Sequence, residues 1–520
     1  MSLLKNFATV GGATLSSRVL GFVRDMFVAA ALGTGAVADA YFVAFRFPNL
    51  FRRLFAEGAF NSAFIPLFAK ELEGEGREIA RRFAEDALAG LLMALLVLTA
   101  VAEIAMPLLM YVMAPGFAAD PGKFDLTVLL TRIAFPYLML VSLLALFSGV
   151  LNGFGKFAAA AFAPTLLNVV LIAALVLIFH HGLAGTEEAG YWLTWAVVVG
   201  GVAQLAMVLV ALRRIDFNLK LRRPRMTPGM RRLIALGVPG VVAGGITQIN
   251  IVIGTMIASL QPGAVSYLYY ADRLYQLPLG VVGIAIGVVL LPELSRRLKG
   301  DDIDGARHTQ NRSLEFAMVL TLPSAVALTV AAVPIVQVLF ERGAFGASDT
   351  IATAEALAAF SLGLPAFVLI KVFSPGFFAR EDTKTPMYYA GVAVAVNVAA
   401  SLALFPFLSH VGIAIATSLA GWVNAALLFL TLRRRGQWTF DAALKRRLPR
   451  LVASSVMMGG IVWYLGGLLA PWLSREANLL ERGGALGVLV LAGVVAFFAL
   501  AQFSGAADLS VLKRQLVRRR

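Results

Sequence analysis

The amino-acid sequence predicts an all-α polytopic membrane protein of about fourteen transmembrane helices, and three observations carry that prediction. Hydrophobic residues fill 59% of the 520 positions and charged residues only 14%, against about 25% charged in an ordinary soluble domain. Apolar stretches of spanning length recur along the chain, at 3–33, 37–69, 83–113, 126–152, 158–180, 190–212, 230–260, 264–297, 311–340, 350–379, 386–406, 410–432, 450–471 and 484–505. The cations behind the net charge of +15 gather in alternate connecting segments. That is the positive-inside pattern, not a nucleic-acid-binding stripe, so no nucleic-acid partner is expected.

The connections justify the elements in order. Segments 70–82, 153–157, 213–232, 296–307, 380–384, 433–450 and 513–520 are basic, whereas 33–37, 114–125, 180–190, 261–263 and 406–410 are poor in Lys and Arg. The connection between the ninth and tenth spans and that between the last two carry only Arg342, Arg475 and Arg482. This alternation places both termini in the cytoplasm, which requires an even number of spans. The first apolar stretch is long and carries arginines, so no cleavable leader is expected.

An internal repeat divides the chain. Pro136 and Pro365 lie 229 residues apart, as do Asn168 and Asn397, and Pro66 and Pro292 lie 226 apart. We read two pseudo-symmetric six-helix bundles, 1–213 and 214–445, followed by two extra C-terminal helices and a basic tail, 446–520. Six spans preserve orientation, so the repeat is parallel, about an axis along the membrane normal.

The polar residues within spans indicate a hydrated cavity. On the first span, Gly11, Thr14, Ser17, Arg18, Gly21, Arg24 and Asp25 recur at intervals of three and four and share one stripe. Arg18 lies about 20 Å along the helix from Lys5. An arginine at that depth costs about 2.5–3.5 kcal/mol even on the gentlest insertion scale, so it must face a wet, protein-lined space. Arg18 and Arg24 together suit an elongated anion; Asp25 neutralises part of the charge.

The second span carries Asp39, Arg46, Asn49, Arg52, Arg53 and Glu57, with Pro48 expected to kink it. Arg53 and Glu57 can pair at i, i+4, as a gate element or as simple structure. Asp39 is either an N-cap of this helix or the partner of an arginine when the outer side closes. The eighth span offers Ser266, Tyr270, Asp272, Arg273, Gln276 and Gly280, with Asp272 as partner of Arg273 or gate latch. Small residues of the seventh span, Gly240, Gly244 and Gly245 among them, serve as a hinge or for close packing. Lys371 is a weaker cavity candidate.

Arginine in place of lysine points to phosphate, because the guanidinium fork grips oxygens bidentately and stays charged. The first, second and eighth spans would then converge on a diphosphate-sized site. There is no cysteine, and the four histidines (180, 181, 308 and 410) fall in loops or at span ends. No Walker motif, metal cluster or catalytic constellation is present, so neither an ATP-driven pump nor an enzyme is expected. No Na⁺ cage stands out; Asn397 and Thr417 are the nearest candidates.

These blocks resemble the MurJ (MviN) family. The matching residues are Ser16 to Asp25, Ala38-Asp39-Ala40-Tyr41, Arg46 to Leu54, Ala56-Glu57-Gly58-Ala59 and Tyr270-Ala271-Asp272-Arg273-Leu274, and the likeness covers the whole chain. The resemblance implies a flippase for lipid II, the undecaprenyl-diphosphate-linked disaccharide-pentapeptide of peptidoglycan. It implies the fold of the multidrug/oligosaccharidyl-lipid/polysaccharide exporter superfamily and a bacterial inner-membrane location. It also implies required cavity arginines at Arg18, Arg24, Arg52 and Arg273, and important acids at Asp39 and Glu57. A groove for the prenyl tail would fall between about residues 450 and 502.

On this reading Ser17 and Asn49 join the arginines in binding substrate. Asp25, Asp39, Arg53, Glu57 and Asp272 form gates or salt bridges. No cofactor is expected; the membrane potential or a monovalent cation is the candidate driving force. Lipid II, membrane lipids and other cell-wall synthesis proteins are the candidate partners. The rival readings are an exporter of another polyprenyl-diphosphate-linked glycan and a cation-coupled multidrug extruder, whose site should be acidic and aromatic.

Overall fold

The computed structural model describes residues 3–53 and 60–506, without the side-chain surroundings of 3–8, 61, 62, 240–244, 246, 247 and 284–289; all regular elements among the described residues are helical. The first helices are α1 (Leu3–Leu32), α2 (Ala36–Phe51), α3 (Asn61–Gly74), α4 (Arg77–Met113), α5 (Pro121–Ala134), α6 (Tyr137–Gly153), α7 (Ala158–His180), α8 (Glu187–Arg213) and α9 (Pro228–Ala258). The remainder are α10 (Ala264–Lys299), α11 (Ile303–Val330), α12 (Ala332–Phe340), α13 (Ala347–Phe378), α14 (Lys384–Arg434), α15 (Ala442–Leu468), the single turn α16 (Ala470–Leu473) and α17 (Leu479–Phe503).

Among the described residues, nine helical stretches are long and apolar enough to cross a bilayer, α5 and α6 counting as one. They take in ten of the expected spans, because α14 holds two of them, divided at Ser409 by non-helical torsions (φ 51°, ψ −135°). The first, second, seventh and eighth expected spans fall on α1, α2 with α3, α9 and α10, the helices that carry the polar stripes. Apolarity alone therefore does not fix the count at fourteen.

Several boundaries differ from expectation for local reasons. The second span is not one kinked rod: α2 runs through Pro48 to Phe51, passes into π-type turns at Arg52 and Arg53, and a separate helix starts at Asn61. Proline removes one ladder donor, and the Asn49 side-chain amide bonds the next carbonyl, that of Phe45, at 2.7 Å. The fourth span is broken at Phe135-Pro136, whereas its repeat counterpart Pro365 sits inside unbroken α13. The ninth span breaks at Ala331, three residues before Pro334. The α4 helix starts six residues early, because Glu78 pairs with Arg81 and Arg82 on an amphipathic first turn. Side-chain caps at Asp120, Thr227, Asp441 and Asn478 fix other starts, each worth about 1 kcal/mol.

The chain forms two units, residues 1–266 with 342–345, and 267–341 with 346–520. In the first, α1 packs on α7, α7 on α8, α2 on α5, and α3 on α4 and α6. Phe64 stands 5.6 Å from both Phe68 and Phe83 in its core. The short segment 342–345 docks on the end of α1, where the Ala344 N–H donates to the Ala30 carbonyl at 2.9 Å. In the second unit α13 packs on α14 and α11, and α15 lies against α11 and α17. Phe373, Phe377, Trp438, Leu451, Met458 and Phe497 are buried in one core there, so the last two helices are integral to that unit. Exposed apolar residues such as Ile104 and Leu108 on α4, or Leu491 and Val495 on α17, suit contact with lipid tails.

Candidate functional site

Each cation on α1 has a distinct environment. Arg24 is clamped: its Nε and Nη2 donate to Asp25 Oδ1 at 3.1 and 2.7 Å, and its Nη1 donates to Asn168 Oδ1 at 2.9 Å. The Asn168 amide in turn donates to the Ser17 carbonyl at 3.0 Å, tying α7 to α1 across both residues. Asp25 is buried and compensates Arg24. Arg18, two turns earlier, is exposed and makes no ion pair with any described residue. The expected stripe thus holds one neutralised cation and one open to an incoming anion.

On α2, Arg46 donates through Nη1 to the Thr255 hydroxyl of α9 at 2.7 Å. Asn49 Oδ1 accepts from Arg52 Nε at 3.0 Å, so Asn49 orients Arg52. Arg53 is exposed, and its expected partner Glu57 lies outside the described residues.

Asp39 is not the N-cap of α2. Gly35 holds that position, and Asp39 sits in the first turn with its side chain turned elsewhere. It is fully buried (0% exposed) and accepts four bonds. Lys123 Nζ donates at 2.6 Å, the Gly263 N–H at 2.9 Å, the Ser266 N–H at 3.0 Å and the Ser266 hydroxyl at 2.6 Å. The two N–H groups lie at the start of α10, where helix donors lack partners and the dipole favours negative charge. Asp39 therefore caps α10 from another helix. Lys123, 8% exposed, also lies 3.9 Å from the centre of the Phe117 ring. Its partner is a lysine of the 114–125 connection and not one of the arginines expected for it.

On α10, the Arg273 guanidinium lies 4.7 Å from the centre of the Tyr269 ring, a cation–π distance. Asp272 accepts from the Gln276 amide one turn on. The candidates on this span are not uniformly cavity-lining: Ser266 is occupied by Asp39, and Tyr270 is buried 5.2 Å from Phe340. Lys371 is exposed, and its ammonium lies over Gly283, where a Cβ would come within 2.5 Å. Of the hinge candidates, Gly245 has open space around it, and Gly240 and Gly244 lie outside the residues whose surroundings are described. The described residues hold no His, Asp or Glu cluster fit for a metal.

Two residues were missed as site components. Lys123 appeared only as part of a cation-poor connection, and Asn168 only as a mark of the repeat.

Residues 28–479 match the family model described as lipid II flippase MurJ. The chain belongs to the MurJ family. A protein of Rhizobium tropici named "Probable lipid II flippase MurJ" is 53% identical over 521 residues, spanning 100% of this chain and 98% of its own. "Lipid II flippase MurJ" of Burkholderia cenocepacia is 36% identical, spanning 97% of this chain and 96% of its own. The solved structure "Lipid II flippase MurJ, inward closed conformation" has a TM-score of 0.79 at 24% identity, covering 98% of this chain and 99% of that one. An inward-facing multidrug resistance MATE family transporter of the MOP superfamily has a TM-score of 0.60 at 16% identity, covering 86% and 96%. The fold is that shared by MurJ and MATE transporters, and MurJ proteins are multi-pass membrane transporters rather than enzymes.

Proposed function

We propose that this protein carries lipid II from the inner to the outer leaflet of the bacterial cytoplasmic membrane by alternating access. One observation carries the substrate: the likeness to lipid II flippases runs the length of the chain, at 53% identity to the Rhizobium tropici protein. The local chemistry supports it, since Arg18 offers an exposed guanidinium on the polar stripe of α1, suited to a diphosphate oxygen.

In this reading Arg18, Arg24, Arg52 and Arg273 act on the diphosphate, and Ser17 and Asn49 support them. Asp25, Asp39, Arg53, Glu57 and Asp272 hold or release gates, and Gly240, Gly244 and Gly245 give α9 freedom to bend. The division into two six-helix bundles, 1–213 and 214–445, with two C-terminal helices in 446–520 and both termini cytoplasmic, belongs to the same reading. The membrane potential, worth about 2.3 kcal/mol per charge per 100 mV, or a monovalent cation supplies the drive. Other cell-wall synthesis proteins are proposed partners.

The test is rescue of cells depleted of their own flippase, paired with translocation of labelled lipid II in proteoliposomes. The chain should rescue growth and move lipid II faster than another polyprenyl-diphosphate-linked glycan. Good expression without rescue, or preference for the other glycan, would overturn the assignment.

A further inference from the structure

The second unit holds an apolar cavity of about 290 Å³ among α11, α13, α14 and α15. Leu314, Phe373, Trp422, Phe429, Leu448 and Val452 are among its walls, and every lining residue is apolar. The Trp422 indole N–H is already spent on the Leu362 carbonyl at 2.9 Å. Trp422, Ala426 and Val452 are exposed, so the mouth opens sideways between α14 and α15. One end is closed: Phe440 stacks on Phe429 at 4.8 Å, and buried Trp438 lies 5.0 Å from Phe373.

Charge is concentrated beside that closed end. Arg433 stands one turn beyond Phe429 on α14, and Lys445 stands one turn before Leu448 on α15, each on the face that lines the cavity. With Arg434 and Arg446 they make four exposed cations that form no ion pair with any described residue. Three carboxylates nearby are already committed. Glu315 pairs with Arg312 and Arg447, Asp441 with Arg312, and Asp382 with Arg435. An apolar slot at the rim of unneutralised cations is complementary to one kind of bilayer component, a lipid with a negative headgroup.

We propose that this cleft binds an anionic diacyl phospholipid of the cytoplasmic leaflet, with an acyl chain in the cavity and the phosphate on Arg433 and Lys445. The leaflet follows from the orientation proposed above; the site itself does not depend on which lipid the protein transports. Such a lipid would pin α15, and with it the C-terminal helix pair, against α14.

The test uses the full chain in vesicles with phosphatidylglycerol or phosphatidylcholine brominated on the acyl chain. Quenching assigned to Trp422 is the difference between the unmodified protein and Trp422→Phe. It should be at least about fivefold stronger with brominated phosphatidylglycerol at equal lipid content. The preference should vanish in Arg433→Gln/Lys445→Gln, and in Ala426→Phe, which fills the mouth and leaves the cations in place. Monodispersity on size exclusion selects folded variants. Equal quenching by the two lipids, or a preference surviving both changes, would overturn the proposal. So would displacement of phosphatidylglycerol by undecaprenyl diphosphate at equal concentration, which would make the cleft a site for the transported tail.

Discussion

Lys123 and Asp39 form a buried ion pair, 2.6 Å between Nζ and Oδ2, that joins the first turn of α5 to the first turn of α2 and, through Asp39, to the N-terminus of α10. Every bond to the carboxylate is charge-assisted, the arrangement in which hydrogen bonds are strongest. Removing one partner would leave the other charged in a dry setting, and breaking such a pair costs about 3–5 kcal/mol. Lys123→Met should therefore unfold the detergent-solubilised protein at markedly lower temperature. Adding Asp39→Asn in that background should return part of the loss, because no charge is then stranded. A single variant melting with the unmodified protein would show that the pair contributes nothing.

Arg18 and Arg24 separate function from structure. Arg18 is exposed and unpaired among the described residues, so Arg18→Ala should change stability by less than about 0.5 kcal/mol while abolishing rescue of flippase-depleted cells. Arg24 is held by Asp25 and Asn168, so Arg24→Ala should lose both rescue and stability. Asn168→Leu removes a hydrogen bond to a charged group, worth about 1.5–3 kcal/mol, and should lower the melting temperature with Arg24 still present. Normal rescue by Arg18→Ala at equal expression would remove it from the diphosphate site.

How much of this was legible depended on the kind of signal. Residues 158–180 form α7 as expected, because a Gly-Lys turn and a His-His-Gly end bracket a run that is apolar save for Thr165 and Asn168. Intramembrane charges were legible because bilayers penalise them, which singled out Arg18 and Arg24; Asp39 was a candidate as an N-cap or a gate partner at the start of the second span. The partners that lie on other helices were not. Lys123 lies 84 residues from Asp39 and Asn168 lies 144 from Arg24; spacing on one helix carries no information about a neighbour that distant. The break at Pro136 and the continuity at Pro365 show the same limit, since a proline's effect depends on which neighbours satisfy the freed carbonyl.

The connection before α14 is expected to loosen in acid. Hydrogen bonds from Arg435, then from the Thr385 N–H and hydroxyl, hold the Asp382 carboxyl at about 2, below the ordinary value of 3.8. A depressed pKa contributes stability above the unfolded value that is lost as pH falls through the folded one. Hydrogen exchange at 379–385 should therefore be independent of pH, after correction for the intrinsic rate, from about 7 to 5, and should rise between about 4 and 2. Asp382→Asn should show the looser state at neutral pH. Flat protection across the lower range would mean the clamp does not hold this turn.

Gly33 and Gly343 are expected to fail together when given side chains. Both have positive φ, 62° and 57°, a region that costs an L-residue roughly 1–2 kcal/mol. Space is also lacking: a Cβ on Gly33 would stand 2.5 Å from the Ala344 carbonyl oxygen, and one on Gly343 would strike the Ala30 carbonyl oxygen. Both obstacles are backbone, which cannot swing aside as a flexible side chain would. Gly343→Ala should release segment 342–345 from α1, seen as lost protection of the Ala344 N–H that now bonds Ala30. A cysteine placed at exposed Val333 on α12 should keep its labelling rate, since it lies outside the docked segment. Unchanged protection at Ala344 in the alanine variant would show that the close approach is not what holds the segment.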